Sequence, residues 1–225
     1  MKSKLLAIAF STIMLIVLMA ATVDIPQDSK PTSQPTKVHH NAKHKVVVDF
    51  YLDNDSIMKY PKTAFAVSMA VSTWAKELPI VARMFDSKTA PIAPPGAIKI
   101  KIVATKDAWS PTLLGWWDSK EDQMYLVGEK LEIDAAKAIH VAIHEIGHAF
   151  GLPHFGSMKD LRYLSTGGIV VEDAEDYAMY PFSTPKNIKS IIQPLEKEMA
   201  IHHLRHQLFQ RVPGHKDCDG FHETH

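Results

Sequence analysis

The chain has 225 residues, which is enough for one domain with a hydrophobic core but not comfortably for two. It carries 25 basic and 25 acidic side chains, so its formal net charge is zero and nothing favours nucleic acid or an anionic surface as a partner. Its single cysteine, Cys218, excludes an intrachain disulfide.

Residues 1–23 are predicted to direct export. Lys2 and Lys4 precede an apolar run from Leu5 to Val23, which together have the charged and hydrophobic parts of a signal peptide. Polar residues within the run and small residues at its end favour cleavage, but the run is also long enough to span a bilayer as an anchor. Both interpretations place the rest of the chain outside the cytoplasm, either secreted or membrane-anchored, and restrict membrane contact to this segment.

Residues 24–43 are polar and contain three prolines, so they are predicted to form a flexible linker or a short pro-segment. One folded domain is predicted over residues 44–212, and residues 213–225 form a polar tail. Within the domain, the β-branched and aromatic residues of Lys45–Leu52 predict a first strand.

A long helix is predicted to begin at Pro61 and to extend to about Met84. Apolar residues recur along it at helical spacing and are expected to face the core. These residues are Val67, Val71, Trp74, Leu78 and Val81.

Two further strands are predicted. Residues 98–102 alternate strictly between isoleucine and lysine, which indicates a strand with one buried face. Gln123–Val127 is a shorter strand that follows a polar turn. The carboxylates of that turn, Asp118, Glu121 and Asp122, are able to bind calcium, but no clean calcium loop is present and a solvated turn is the simpler interpretation.

The most specific pattern lies at residues 144–154, on and just after a helix predicted from Ala135 to Phe150 with Asp134 as its N-cap. His144 and His148 are four residues apart, so a helix projects both rings from one face towards one ion.

The residues around these histidines complete a catalytic metal site. Gly151 is able to end the helix and turn the chain, which would bring His154 round as a third ligand. A fourth position left to water distinguishes a catalytic zinc from a structural one. Glu145 is adjacent to His144 and is placed to act on that water without binding the metal.

This spacing resembles the His-Glu-x-x-His-x-x-Gly-x-x-His signature of the metzincin metallopeptidases. Downstream, residues 177–181 (Tyr-Ala-Met-Tyr-Pro) resemble the Met-turn of that family, and the Met-Tyr-Pro run is most similar to that of the matrixins, the matrix-metalloproteinase group. The resemblance covers roughly Lys45 to Gln210. It implies an α+β fold with a small, mixed, twisted sheet, a long helix, an active-site helix and a C-terminal helix, which here would follow Pro185 and Pro194.

The resemblance also implies the chemistry. His144, His148 and His154 would hold one catalytic zinc, and Glu145 would act as general base and acid on a zinc-activated water. Met179 would form a hydrophobic base beneath the three histidines.

The substrate pocket is expected beside the Met-turn. Tyr180, Pro181 and Phe182 would line the pocket for the side chain that follows the scissile bond. Gln123–Val127, with Gln123 and Tyr125, is the candidate edge strand for pairing with an extended substrate.

The chain also departs from the matrixins. No cysteine precedes the motif, so the latency switch in which a propeptide cysteine binds the zinc is not expected, and no histidine occurs in residues 45–139 to hold a second, structural zinc. The stretch from Phe155 to Asp176 is longer than usual and is interpreted as an insertion beside the cleft. His140 lies one turn before His144, where a packed or supporting histidine is favoured over a fourth ligand.

The sequence therefore predicts an exported, monomeric zinc metalloendopeptidase that acts on proteins or peptides. The second hypothesis is a protease-like, zinc-binding domain that captures a protein or peptide without cleaving it, although the intact Glu145 argues against that. In a third, weaker hypothesis the motif is coincidental in a membrane-anchored structural protein.

Overall fold

The computed structural model describes residues 45–160, 168–181 and 192–210. The predicted export segment, the linker, the polar tail, Phe182 and the predicted helix start at Pro185 lie outside these ranges. Within them, no helix combines the length and the hydropathy needed to cross a bilayer.

A mixed five-stranded sheet organises the described domain, with the strand order β2-β1-β3-β5-β4. Strands β1, β2, β3 and β5 run parallel to one another, whereas β4 runs antiparallel to β5 and forms one edge. The five strands are β1 (Val46–Leu52), β2 (Ile80–Asp86), β3 (Ile98–Val103), β4 (Gly115–Asp118) and β5 (Gln123–Val127).

Five α-helices accompany this sheet in the described part of the chain. They are α1 (Asn54–Lys59), α2 (Pro61–Glu77), α3 (Gly128–Leu131), α4 (Ala135–Ala149) and α5 (Pro194–Gln210). Two short strands, β6 (Phe155–Gly156) and β7 (Ile169–Val170), pair in parallel apart from the main sheet. The architecture is thus mixed α and β, consistent with the α+β class.

The predicted first helix is too long. It ends at Glu77 because Leu78 precedes Pro79 and adopts an extended conformation, with φ −110° and ψ 152°. Residues 80–86 form strand β2 instead, and Val81 is 43% exposed rather than part of the core. The rest of the predicted core stripe, from Val67 to Leu78, is buried.

The prediction that Gln123–Val127 is an edge strand is wrong. The segment is a strand, but it pairs with β3 on one side and β4 on the other. The turn at residues 119–122 reverses the chain, so that β4 adds outside β5 and becomes the edge. The Gly-Trp-Trp-Asp sequence of β4 does not alternate between apolar and polar residues, so periodicity does not reveal it.

The core fixes α4 against α2. Trp74 of α2 is fully buried, and its indole N–H donates to the carbonyl of Ile143 on α4 at 3.0 Å. The Phe150 ring, at the end of α4, meets Trp74 edge to face with 5.3 Å between ring centroids. Asp134 caps the other end of α4 by accepting from the Lys137 N–H, as predicted. Packing at one end and the cap at the other hold this helix in place.

Candidate metal centre

Three imidazole nitrogens converge beside α4. The Nε2 atom of His154 lies 3.1 Å from that of His148 and 3.2 Å from that of His144. A tetrahedral ion with metal–nitrogen distances of about 2.0–2.1 Å separates its ligand nitrogens by about 3.3 Å. The three rings are therefore close enough to bind one metal ion, as the spacing of the motif predicts.

The outer nitrogens of two rings are held by backbone carbonyls. His144 Nδ1 lies 2.8 Å from the carbonyl oxygen of Ala178, and His148 Nδ1 lies 2.8 Å from that of Leu152. A carbonyl accepts only, so each Nδ1 carries the proton that it donates. Each Nε2 then presents its lone pair towards the shared centre, which is the tautomer that a metal ligand needs.

Gly151 makes the turn that returns His154 to the helix. Its φ is +78°, in the left-handed region, and its N–H donates to the carbonyl of His148 at 2.9 Å. A Cβ at this position would also lie 2.4 Å from Cγ of His203 on α5. Backbone conformation and packing thus both require glycine here.

Burial keeps the three rings neutral. It lowers the pKa of His144 well below its ordinary value, with a further contribution from the neighbouring rings of His148 and His154. The pKa of His148 is also lowered by burial, and that of His154 falls to about 4. Neutral imidazole is the form that coordinates a metal, so this environment suits a metal site.

Glu145 is a buried carboxyl group beside these rings. It is 5% exposed, and burial raises its pKa to about 8. Its Oε2 atom has no hydrogen-bond partner among the described residues. A buried carboxylate oxygen without a partner is costly, and a cation or a water at the centre would satisfy it.

A cavity of about 780 Å³ opens over this centre. The histidines and Glu145 form one side of it, and strand β4 with the preceding loop forms the other. Its apolar walls include Leu113, Leu114, Trp117, Val141, Tyr180 and Pro181.

The predicted pocket residues meet different outcomes. Tyr180 and Pro181 line the cavity, and Met179 is fully buried beside it. Gln123 and Tyr125 are not among the residues that line the cavity. Tyr125 instead stacks on Trp116 at 4.6 Å, and its hydroxyl donates to Glu121. This follows from the position of β5 inside the sheet.

The other candidate ligands do not belong to this group of three histidines. His140 is buried and lines the cavity, but it does not belong to the three-histidine group. Asp118 accepts from the Lys120 N–H in its own turn. Over the described ranges, the group formed by His144, His148 and His154 is the only cluster with metal-binding composition and spacing.

Several residues of the site had no signal in the sequence. Ala178 and Leu152 contribute backbone carbonyls, which any residue type supplies. Gly115 matters because a Cβ there would lie 3.0 Å from Glu145 Cγ, a contact that depends on the edge position of β4.

No protein-family model matches the chain, and no curated protein matches it significantly.

Proposed function

We propose that this chain is a zinc-dependent endopeptidase of the metzincin type, most similar to the matrixins. His144, His148 and His154 are the proposed ligands, and Glu145 is the proposed general base and acid. The observation that carries the proposal is the convergence of three neutral imidazoles beside a buried carboxyl group in an open cavity. Export stays a prediction that depends on residues 1–23.

The donor set favours zinc. Three neutral imidazole nitrogens are a common protein contribution to a catalytic zinc site, with one position left for water or substrate. A zinc ion bound there supplies a Lewis acid that polarises a peptide carbonyl and lowers the pKa of water to about 7.

Glu145 supplies the proton transfers. Burial raises the pKa of the Glu145 carboxyl group to about 8. A cation bound nearby would lower this pKa again, because a positive charge favours the ionised carboxylate. A carboxylate in this range is able to take a proton from the attacking water and to deliver it to the leaving amine. Gly115 keeps the cavity open beside the Glu145 side chain.

The edge strand β4 supports an extended peptide as substrate. The Val127 N–H donates to the Leu114 carbonyl at 2.8 Å, and the register pairs Trp116 with Tyr125. Because hydrogen-bonded pairs alternate along an antiparallel ladder, Gly115 and Trp117 direct their N–H and C=O groups away from β5. A substrate strand is able to pair with these groups along the wall of the cavity.

Zinc content and peptide cleavage test this proposal together. The wild-type protein is expected to bind one zinc and to cleave a peptide library in a chelator-sensitive manner. Glu145→Gln should keep the zinc and reduce hydrolysis by a factor of about 100 or more, because it removes the general base. The matched control is Glu129→Gln on α3, outside the cavity, which should behave as wild type.

The same measurements identify the alternative. A wild-type protein that binds zinc and retains peptides without cutting them would be the binding domain instead. Full hydrolysis by the Glu145→Gln variant would disprove the assigned mechanism, and the absence of stoichiometric zinc would disprove the metal site.

A further inference from the structure

Glu196 is a buried carboxylate that the proposed chemistry does not use. It lies in the first turn of α5 and is 0% exposed. Its Oε2 atom accepts from the Gln193 N–H at 2.8 Å, and its Oε1 atom accepts from the Met179 N–H at 2.7 Å. The Ala178 N–H also hydrogen-bonds to this carboxylate. Burying a carboxylate is costly, so each of these contacts needs an explanation.

Of these contacts, only the bond to Gln193 is explained by the helix. Pro194 is the first residue of α5 and Glu196 is the third, so the bond to the Gln193 N–H is half of a capping box. Met179 lies 17 residues upstream, and helix capping does not require its N–H. The second contact therefore serves the segment that carries Met179.

The Met179 N–H shares a peptide group with the Ala178 carbonyl, and that carbonyl accepts from His144 Nδ1 at 2.8 Å. In a trans peptide the N–H and the C=O point in opposite directions, and the described chain contains no cis peptide. A single peptide plane thus connects the Glu196 carboxylate on one side to a metal-binding ring on the other.

Hydrogen bonds in series polarise one another. A carboxylate that accepts from the N–H of this peptide increases the negative charge on its carbonyl oxygen. That oxygen then accepts more strongly from His144 Nδ1, which orients the ring and makes Nε2 a better donor to a metal.

We propose that Glu196 is a positioning residue for the metal centre, acting through the Ala178–Met179 peptide on His144. The inference rests on the proposed zinc site but not on peptide cleavage. It predicts that Glu196 controls metal affinity in addition to joining α5 to the Met179 segment.

A purely structural role would affect stability alone, and Glu132 provides the matched control for it. This carboxylate is partly buried, and its Oε1 atom accepts from the Thr63 N–H in the first turn of α2 at 2.7 Å. It has the same kind of bond to a backbone N–H, but among the described residues it makes no hydrogen bond to the three histidines or to the peptides that hold them. Glu132→Gln should reduce stability without changing metal binding.

The experiment compares full-length wild type, Glu196→Gln, Glu196→Asp and Glu132→Gln. Zinc affinity is measured by competition with a chromophoric chelator, and the visible absorption of the cobalt-substituted proteins reports ligand geometry. Glutamine keeps the volume, but its amide has only one acceptor oxygen for the N–H groups that the carboxylate binds. We expect Glu196→Gln to bind zinc about 10-fold more weakly or worse and to shift the cobalt spectrum.

The controls decide between positioning and structure. Glu132→Gln should match wild type within about twofold in zinc affinity, and Glu196→Asp, which keeps the charge, should recover part of the loss.

If Glu196→Gln binds zinc as tightly as Glu132→Gln, with an unchanged cobalt spectrum, the inference is wrong. If Glu196→Gln does not fold, the zinc affinity of Glu196→Asp decides: a value equal to wild type overturns the inference. A wild-type protein that binds no zinc would instead refute the proposed metal site itself.

Discussion

Met179 packs directly against Gly147: a Cβ placed on residue 147 would lie 2.2 Å from Met179 Sδ. Gly147 immediately precedes His148 in α4, and Met179 is fully buried. The thioether therefore occupies the space that the missing side chain leaves on the helix. This contact gives a physical reason for the glycine at position 147, inside a helix, where glycine has a low propensity. A side chain there would collide with Met179.

Gly147→Ala should therefore destabilise the protein. Alanine gains about 1 kcal/mol of helix propensity over glycine, but overpacking a core costs about 1–3 kcal/mol. Met179 has little room to move aside, because its side chain is fully buried in the core. Urea unfolding should show a lower midpoint for Gly147→Ala.

A double-mutant comparison isolates the contact. Met179→Ala removes the thioether, so adding Gly147→Ala in that background should be neutral or stabilising. An equal loss of stability in both backgrounds would show that the contact with Met179 is not the cause.

The metal-free protein should show a pH-dependent penalty from Glu145. Burial raises its pKa in the folded state to about 8 from an ordinary value of 4.5. Between these values the folded state keeps a proton that the unfolded state has lost, so this group makes stability fall as pH rises. Glu145→Gln removes the titration, and its unfolding midpoint in chelator should exceed that of wild type at pH about 8 but converge with it near pH 4.5.

The buried histidines change the pH dependence of stability in the opposite direction. Burial lowers the pKa of His154 to about 4, so between that value and its ordinary 6.5 the unfolded state binds more protons and stability rises with pH. This contribution is common to wild type and Glu145→Gln and largely cancels between them. A midpoint difference that does not vary from pH 4.5 to pH 8 would contradict the assignment to Glu145.

Zinc binding and activity should both be lost on acidification. Protons compete with the metal for the Nε2 atoms of His144, His148 and His154, so the apparent zinc affinity should fall as pH decreases. Because the pKa values of these rings are lowered, the loss should occur below the ordinary histidine range. Zinc that stays bound to the folded protein well below pH 4, where His154 is protonated, would argue against coordination by these three rings.

The convergence of the three histidines could be predicted from the sequence because their geometry is local. The four-residue spacing of His144 and His148 fixes their common face, and Gly151 marks the turn to His154. The walls of the cavity depend on topology. Nothing in the Gly-Trp-Trp-Asp sequence of β4 indicates that it adds outside β5, and the link from Glu196 to His144 passes through a backbone peptide. The predicted helix from Pro61 is too long because apolar residues continue at helical spacing past Pro79. That spacing alone does not exclude a strand there.

His140 provides a test of the ligand count. It lines the cavity, and burial lowers its pKa, but it is not part of the three-histidine cluster. His140→Leu should therefore keep one zinc per chain, as measured by metal analysis, while the more apolar wall changes the preference among peptide substrates. A variant that loses the zinc without unfolding would make His140 a ligand.

Backbone pairing with β4 should leave an alternating pattern in the substrate. Gly115 and Trp117 direct their N–H and C=O groups away from β5, whereas Trp116 pairs with Tyr125, so only every second substrate residue is able to bond to β4. N-methylation of single peptide amides removes one donor at a time, and binding to the zinc-loaded Glu145→Gln variant measures the effect without cleavage. Methylation at the pairing positions should weaken binding about 3- to 10-fold, as expected for a hydrogen bond of about 1 kcal/mol, and methylation between them should have little effect. A uniform response along the peptide would mean that the substrate does not extend the sheet, and the specificity of the cavity would then rest on its side-chain walls alone.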